Sequence, residues 1–218
     1  MSSQPSPSTN ERVPEYARDR AVDAICELKW NRLTREELTD VAWVYYYFSV
    51  QFRENLEIAR GLDHAQLIEL DYGERDTDNL SPWPGVAVAG ERMNHDEFMR
   101  RTLALAAIAP DRRGRLEGLG QSYLASIRAK DRTSRAMSIA SYEDGGLEKV
   151  FRAFLTAPHW DTSLLRAFRH FLAEHIRFDS DPEHGHGALC RHLAPDDSVV
   201  PLWSAFRQML VAAVPALS

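Results

Sequence analysis

His175 and Asp179 sit at the end of a stretch whose other regularly spaced members are apolar. Leu164, Phe168, Leu172, His175 and Asp179 follow in steps of four, four, three and four, which puts all five on one helical face. The same break in pattern occurs twice more. In 132–156 the stripe runs Ala136, Ala140, Glu143, Leu147, Val150, Phe154, with a carboxylate in its middle. In 94–108, His95 precedes Phe98 or Met99, Thr102 and Ala106 on a common face, and Asn94 stands ready as a cap. A buried carboxylate is costly unless it is paired or coordinates a metal. Two carboxylates and several imidazoles converging in one core therefore point to a metal ion.

Each residue taken singly has a plainer explanation. An inward His95 in a first turn fits a hydrogen-bonded core histidine. Glu143 could sit beside a bend at Gly145 and Gly146, or pair with an arginine of a neighbouring helix. An i, i+4 His–Asp pair also occurs as a surface hydrogen bond, although the apolar company upstream of His175 argues against a surface. After Asp179 come His184 and His186. At about 100° per residue His186 lies about 20° round from His175 and His184 about 180° round, so direction favours His186. Eleven residues of straight helix rise about 16 Å, too far for one cluster. Pro182 and Gly185 supply the interruption that would bring His186 back, with His184 as the alternative.

The stretch FLAEHIRFDSDPEHGHGAL, with Glu143 ahead of it and His95 further upstream, resembles the heme-oxygenase-like diiron oxidases and oxygenases. The resemblance covers most of residues 40 to 195. It implies a single-domain bundle of about seven to eight helices. It makes His95 the first-helix imidazole, Glu143 the second-helix carboxylate, His175 and Asp179 the third-helix pair, and His186 or His184 the last ligand. The first-helix carboxylate falls in IELDYGERD, where Glu69, Asp71 and Glu74 compete; register against the acidic-Tyr-Gly ending of that helix favours Asp71, with Glu74 second. The third helix departs from the family by the insertion between Asp179 and His186. The implied cofactor is two Fe(II) per chain with O2 as co-substrate, acting on a small amine- or amino-acid-like metabolite by N-oxygenation, desaturation or C–C cleavage, as in biosynthetic enzymes. Two other readings remain: a metal-free enzyme of the same fold using the inward His and Glu residues as acids and bases, and a non-enzymatic helical binding protein whose polar core is a hydrogen-bond network.

The elements that must hold these residues are helices. Apolar residues recur at threes and fours almost throughout, no alternating pair of runs is joined by a tight turn, and the class is all-α. Helices are expected near 15–29, 36–61, 64–72, 94–108, 111–128, 132–156, 162–179 and 199–217. Between them, 73–93 contains Pro82, Pro84 and Gly85 and is long for a plain connection, which suits a lid. The run Trp43, Tyr45, Tyr46, Tyr47, Phe48 reads as core packing first and pocket lining second. His64, His159, His170 and His192 receive no role.

At 218 residues, 44% hydrophobic and 27% charged, the chain suits one globular domain over 15–218 behind a disordered tail at 1–14. A net charge of -6 without a basic run argues against nucleic acid. The longest apolar run, Val41 to Val50, is far short of the roughly 20 residues that span a bilayer, and the N-terminus lacks a signal-peptide layout. Two cysteines, Cys26 and Cys190, form neither a disulfide framework nor a zinc pair, so a cytoplasmic location fits best. A homodimer is expected through the stripe Leu202, Phe206, Leu210, Val214 of the last helix.

Overall fold

The computed structural model describes residues 17–61, 70, 74–179 and 196–218, with Asp179 represented by its backbone. The helices within this range are α1 (Ala17–Cys26), α2 (Arg35–Arg60), α3 (His95–Leu103), α4 (Pro110–Arg128), α5 (Arg132–Ser141), α6 (Leu147–Phe154), α7 (Ser163–Asp179) and α8 (Val200–Ala213). Among the described residues there is no β-strand; two isolated bridges, Thr77 with Met93 and Trp83 with Ala87, shape the loop before α3. No described helix is long and apolar enough to cross a membrane. The chain is all-α.

α2 is the axis of the bundle and packs against α3, α4, α5, α7 and α8. Its start is set by a capping box: the Thr34 hydroxyl accepts the Glu37 N–H at 3.2 Å, and the Glu37 carboxylate accepts the Thr34 N–H at 2.8 Å. Leu38, Val41, Tyr45, Phe48, Phe52, Leu56 and Ala59, spaced by threes and fours, are all buried. The Tyr45 ring lies within 6.4 Å of the rings of Phe151, Phe168, Phe171 and Phe206, so helices α6, α7 and α8 meet on this one side chain. On the opposite flank α4 comes close because Gly120 has no side chain: a Cβ there would stand 2.1 Å from the Tyr47 ring. Asp40 ties the same pair together, accepting from Arg112 at 2.7 Å and Arg115 at 3.0 Å.

Several sequence expectations are corrected. The helix expected over 94–108, α3, stops at Leu103, where three-residue turns, Ala104 N–H to Arg101 and Leu105 N–H to Thr102, unwind it; Ala106 is not on it. The span 132–156 is two helices joined by a π-helical segment, Tyr142–Gly146. The last helix ends at Ala213, ahead of a short 3-10 turn over Pro215–Leu217, since Pro215 has no N–H to continue it. The stripe expected to form a dimer seam is buried in the chain's own core, with Leu202, Phe206, Leu210 and Val214 all at 1% exposure or less. That face is fully used within one chain and leaves nothing apolar for a partner.

Segment 75–94 is built rather than slack. Arg101 of α3 donates to the Val86 carbonyl at 3.0 Å and to Glu91 at 2.7 Å, while Glu97 accepts from the same guanidinium at 2.8 Å. Asn94 precedes α3, but its carboxamide oxygen accepts the Asp76 N–H at 3.2 Å instead of capping the helix. On α7, His170 donates from Nε2 to the Leu80 carbonyl at 2.9 Å and stacks on Trp83 with 4.4 Å between ring centroids.

Candidate metal centre

α7 is capped by Thr162, whose hydroxyl accepts the Leu165 N–H at 3.2 Å. From there the helix delivers Phe171 and, one turn later, His175 to the wall of the core. The His175 Nδ1 lies 2.7 Å from the Phe171 carbonyl oxygen. A carbonyl only accepts, so the proton of the neutral ring sits on Nδ1 and Nε2 presents a lone pair. His95 is the first residue of α3, and its side chain is buried, with the Phe171 ring 5.8 Å away between centroids. Its Nε2 is 3.2 Å from the Asn79 carboxamide oxygen, again an acceptor. Its Nδ1 faces inward, 2.5 Å from Glu74 Oε2 and 3.0 Å from His175 Nε2.

One ligand atom each from Glu74, His95 and His175 lies within 4.8 Å of the others. A carboxylate oxygen and two imidazole nitrogens thus converge on one point. Like partial charges at this separation repel unless a cation, a proton or a metal, stands among them. The cavity beside them has a volume of about 20 Å³, room for an ion or about one water. Phe48, Phe52, Leu147 and Phe171 supply its apolar wall, and Ser49 and Glu143 its further polar groups. A second small cavity behind Glu74 and His95 is charged, with Arg53 on Asp96 at 2.9 Å and both Arg53 and Arg75 on Glu57 at 3.2 and 3.4 Å.

Glu143 reaches this cavity from the π-helical segment. There Asp144 leaves helical geometry at ψ 53° and Gly145 takes φ +77°, a region that favours glycine. Gly146 packs so tightly that a Cβ would stand 2.4 Å from the Ser141 carbonyl and 2.8 Å from the Trp203 ring. Trp203 is held in turn by its indole N–H on the Ser141 hydroxyl at 2.8 Å. Single π turns inside α-helices recur at functional sites, and this one carries the only carboxylate among the described residues of the stripe Ala136–Phe154.

The structure thus brings Glu74, His95 and His175 together and places Glu143 on the same cavity. Glu74, second to Asp71 by register, is the carboxylate in contact with His95. Asp71, Glu69, His184 and His186 lie outside the described residues. Asp179 ends α7 one turn beyond His175, and its side chain is likewise outside them. Sequence reasoning missed Asn79, which stands in a loop without periodicity, and gave no role to His170, which holds that loop to α7. Comparison of the chain with family models, with curated proteins and with solved structures finds no match.

Proposed function

We propose that the chain is an O2-dependent non-haem iron oxidase or oxygenase. Glu74, His95 and His175 would hold one Fe(II), and Glu143 and Asp179 would contribute to a second. The observation that carries this reading is the donor set itself: two imidazoles and one carboxylate aimed at a single point. Two histidines and a carboxylate with open positions suit Fe(II) enzymes that use O2, and harder or softer metals prefer other sets. Bound Fe(II) would supply the electrons that reduce and so activate O2.

The chain's own residues account for the rest. The Phe171 carbonyl and Asn79 orient the two imidazoles; Phe48, Phe52 and Phe171 keep bulk water from the centre; Glu143 brings a further carboxylate across the cavity. The substrate class that goes with this reading is a small amine- or amino-acid-like metabolite. Glu143 on the His175 cavity favours this over an internal hydrogen-bond network, which would have placed it apart from His175.

Anaerobic Fe(II) titration tests the proposal. Wild-type protein should take up about two equivalents per chain, and exposure to O2 should give a transient visible absorption. His175→Ala should lose iron while its helical circular dichroism stays unchanged. Absence of iron uptake by the wild type, or unchanged stoichiometry in His175→Ala, rejects it.

A further inference from the structure

The metal-centre cavity, at about 20 Å³, holds an ion; a second cavity across α2 is of another size, about 520 Å³, within the range that takes a small organic molecule. It lies between α2, the end of α3 with the turn that follows it, and the start of α4. The two cavities share no lining residue. Trp43, Tyr46 and Tyr47 give the larger one an aromatic wall, and Arg100 and Arg113 bring cations to its edge. Tyr47 sits in the cleft that Gly120 leaves open, with the Tyr46 ring edge-on to it at 5.2 Å between centroids.

The polar groups of this cavity are donors nearly without exception. Glu117 is its one acidic lining residue, and it accepts from Arg113 at 2.7 Å. That bond uses only Nε of Arg113, so the two terminal amino groups, carried over the Trp43 ring at 5.6 Å, keep their fork for another acceptor. Arg100 holds Glu97 through Nε and one amino group, at 2.6 and 2.7 Å, and its other amino group makes no hydrogen bond among the described residues. The phenols stay protonated at neutral pH: burial, and then the charge of Glu117, push Tyr47 up to about 12, and burial, then Asp96, raise Tyr46. The indole N–H of Trp43, in the same wall, is buried and meets no acceptor among the described residues, a donor of the kind that an accepting ligand satisfies. The complement of a flat apolar wall edged with donors is a flat apolar body that carries an anion. We propose that this cavity is a second small-molecule site, for an aromatic carboxylate: its ring lies against Trp43 and Tyr46, and its carboxylate takes the amino fork of Arg113, with Arg100 as the second cation.

The experiment titrates the metal-free, full-length protein with 2-naphthoate and, separately, with 2-naphthamide, which has the same rings and no charge. The metal-free form keeps the result separate from the iron reading. Calorimetry reads affinity, and the indole N–H signals of the 15N-labelled protein read location. Wild type should bind one 2-naphthoate per chain, roughly 10-fold tighter than the amide, as expected for a hydrogen-bonded charge, and the Trp43 indole signal should shift. Arg113→Gln should weaken the carboxylate by about 10-fold and leave both the amide affinity and the helical circular dichroism unchanged. Arg128→Gln alters an exposed arginine of the same helix that holds Glu54 away from the cavity, and it should bind as wild type does. The proposal is overturned if wild type does not bind 2-naphthoate, if it binds the amide as tightly, or if the Trp43 signal stays still. It is overturned equally if Arg113→Gln binds like wild type, or if Arg128→Gln loses as much affinity as Arg113→Gln, which would make the attraction one of general charge.

Discussion

At Gly146 the backbone runs between the Ser141 carbonyl and the Trp203 ring with no space for a methyl group. Gly146→Ala must push either a buried indole or the π-helical turn, so it should lower stability by about 1–3 kcal/mol. Denaturant unfolding would check this, and Co(II) titration of the folded variant should show weaker binding because Glu143 rides on the displaced turn. An unchanged unfolding midpoint would mean that the Trp203 contact is looser than drawn. His95, Glu143 and His175 were readable in the sequence because each interrupts an apolar stripe, and a stripe reports burial whatever the tertiary fold. Glu74 was harder to choose: in an acidic run such as IELDYGERD, one residue of register shifts the side chain by about 100°. Asn79 gave no signal, because its position depends on a loop closed by contacts distant in sequence.

The element that connects loop and site is α3. Its Glu97 is held down to about pKa 2, first by the hydrogen bond from Arg100 and then by that from Arg101, against the opposing effect of partial burial. The folded value lies below the ordinary one of 4.5. The stabilisation is therefore complete above about pH 4.5 and is lost as pH falls through about 2. Glu97→Gln, which cannot titrate, should differ most from wild type in urea stability at about pH 5 and converge on it toward pH 2. A difference that stays constant across that range would show that Glu97 acts through its shape alone. Because Arg101 also reaches Glu91 and the Val86 carbonyl, the same variant should speed hydrogen exchange in the loop near residues 86–91. Helix existence was readable from periodicity, while helix ends were not. The end of α3 at Leu103 follows from unwinding turns rather than from a breaker residue, whereas the Gly145–Gly146 pair did mark the break between α5 and α6 as a bend, though not as a π turn.

Over the whole molecule, an all-α bundle followed from spacing alone, since repeating threes and fours suit one element type in every segment. Spacing cannot say which partner an apolar face meets. The stripe Leu202, Phe206, Leu210, Val214 has the form of a dimer seam, yet α8 turns it inward against α2 and α4, where Phe206 packs on Phe48 at 4.3 Å between centroids. A core position and a subunit seam differ in how stability depends on concentration. In the core, Leu210→Ala removes buried methyl groups and leaves a cavity, costing about 2–5 kcal/mol, and the lowered Tm is the same at any protein concentration. At a seam, the loss would act through association, so Tm would rise with concentration and the sedimenting mass would fall in the variant. We expect the first behaviour: Leu210→Ala should melt lower by the same interval across a hundredfold range of concentration, roughly 2–4 °C for each kcal/mol in a chain of this size, with the same sedimenting mass as wild type. A concentration-dependent shift would return the stripe to an intersubunit surface and require α8 to swing away from Phe48.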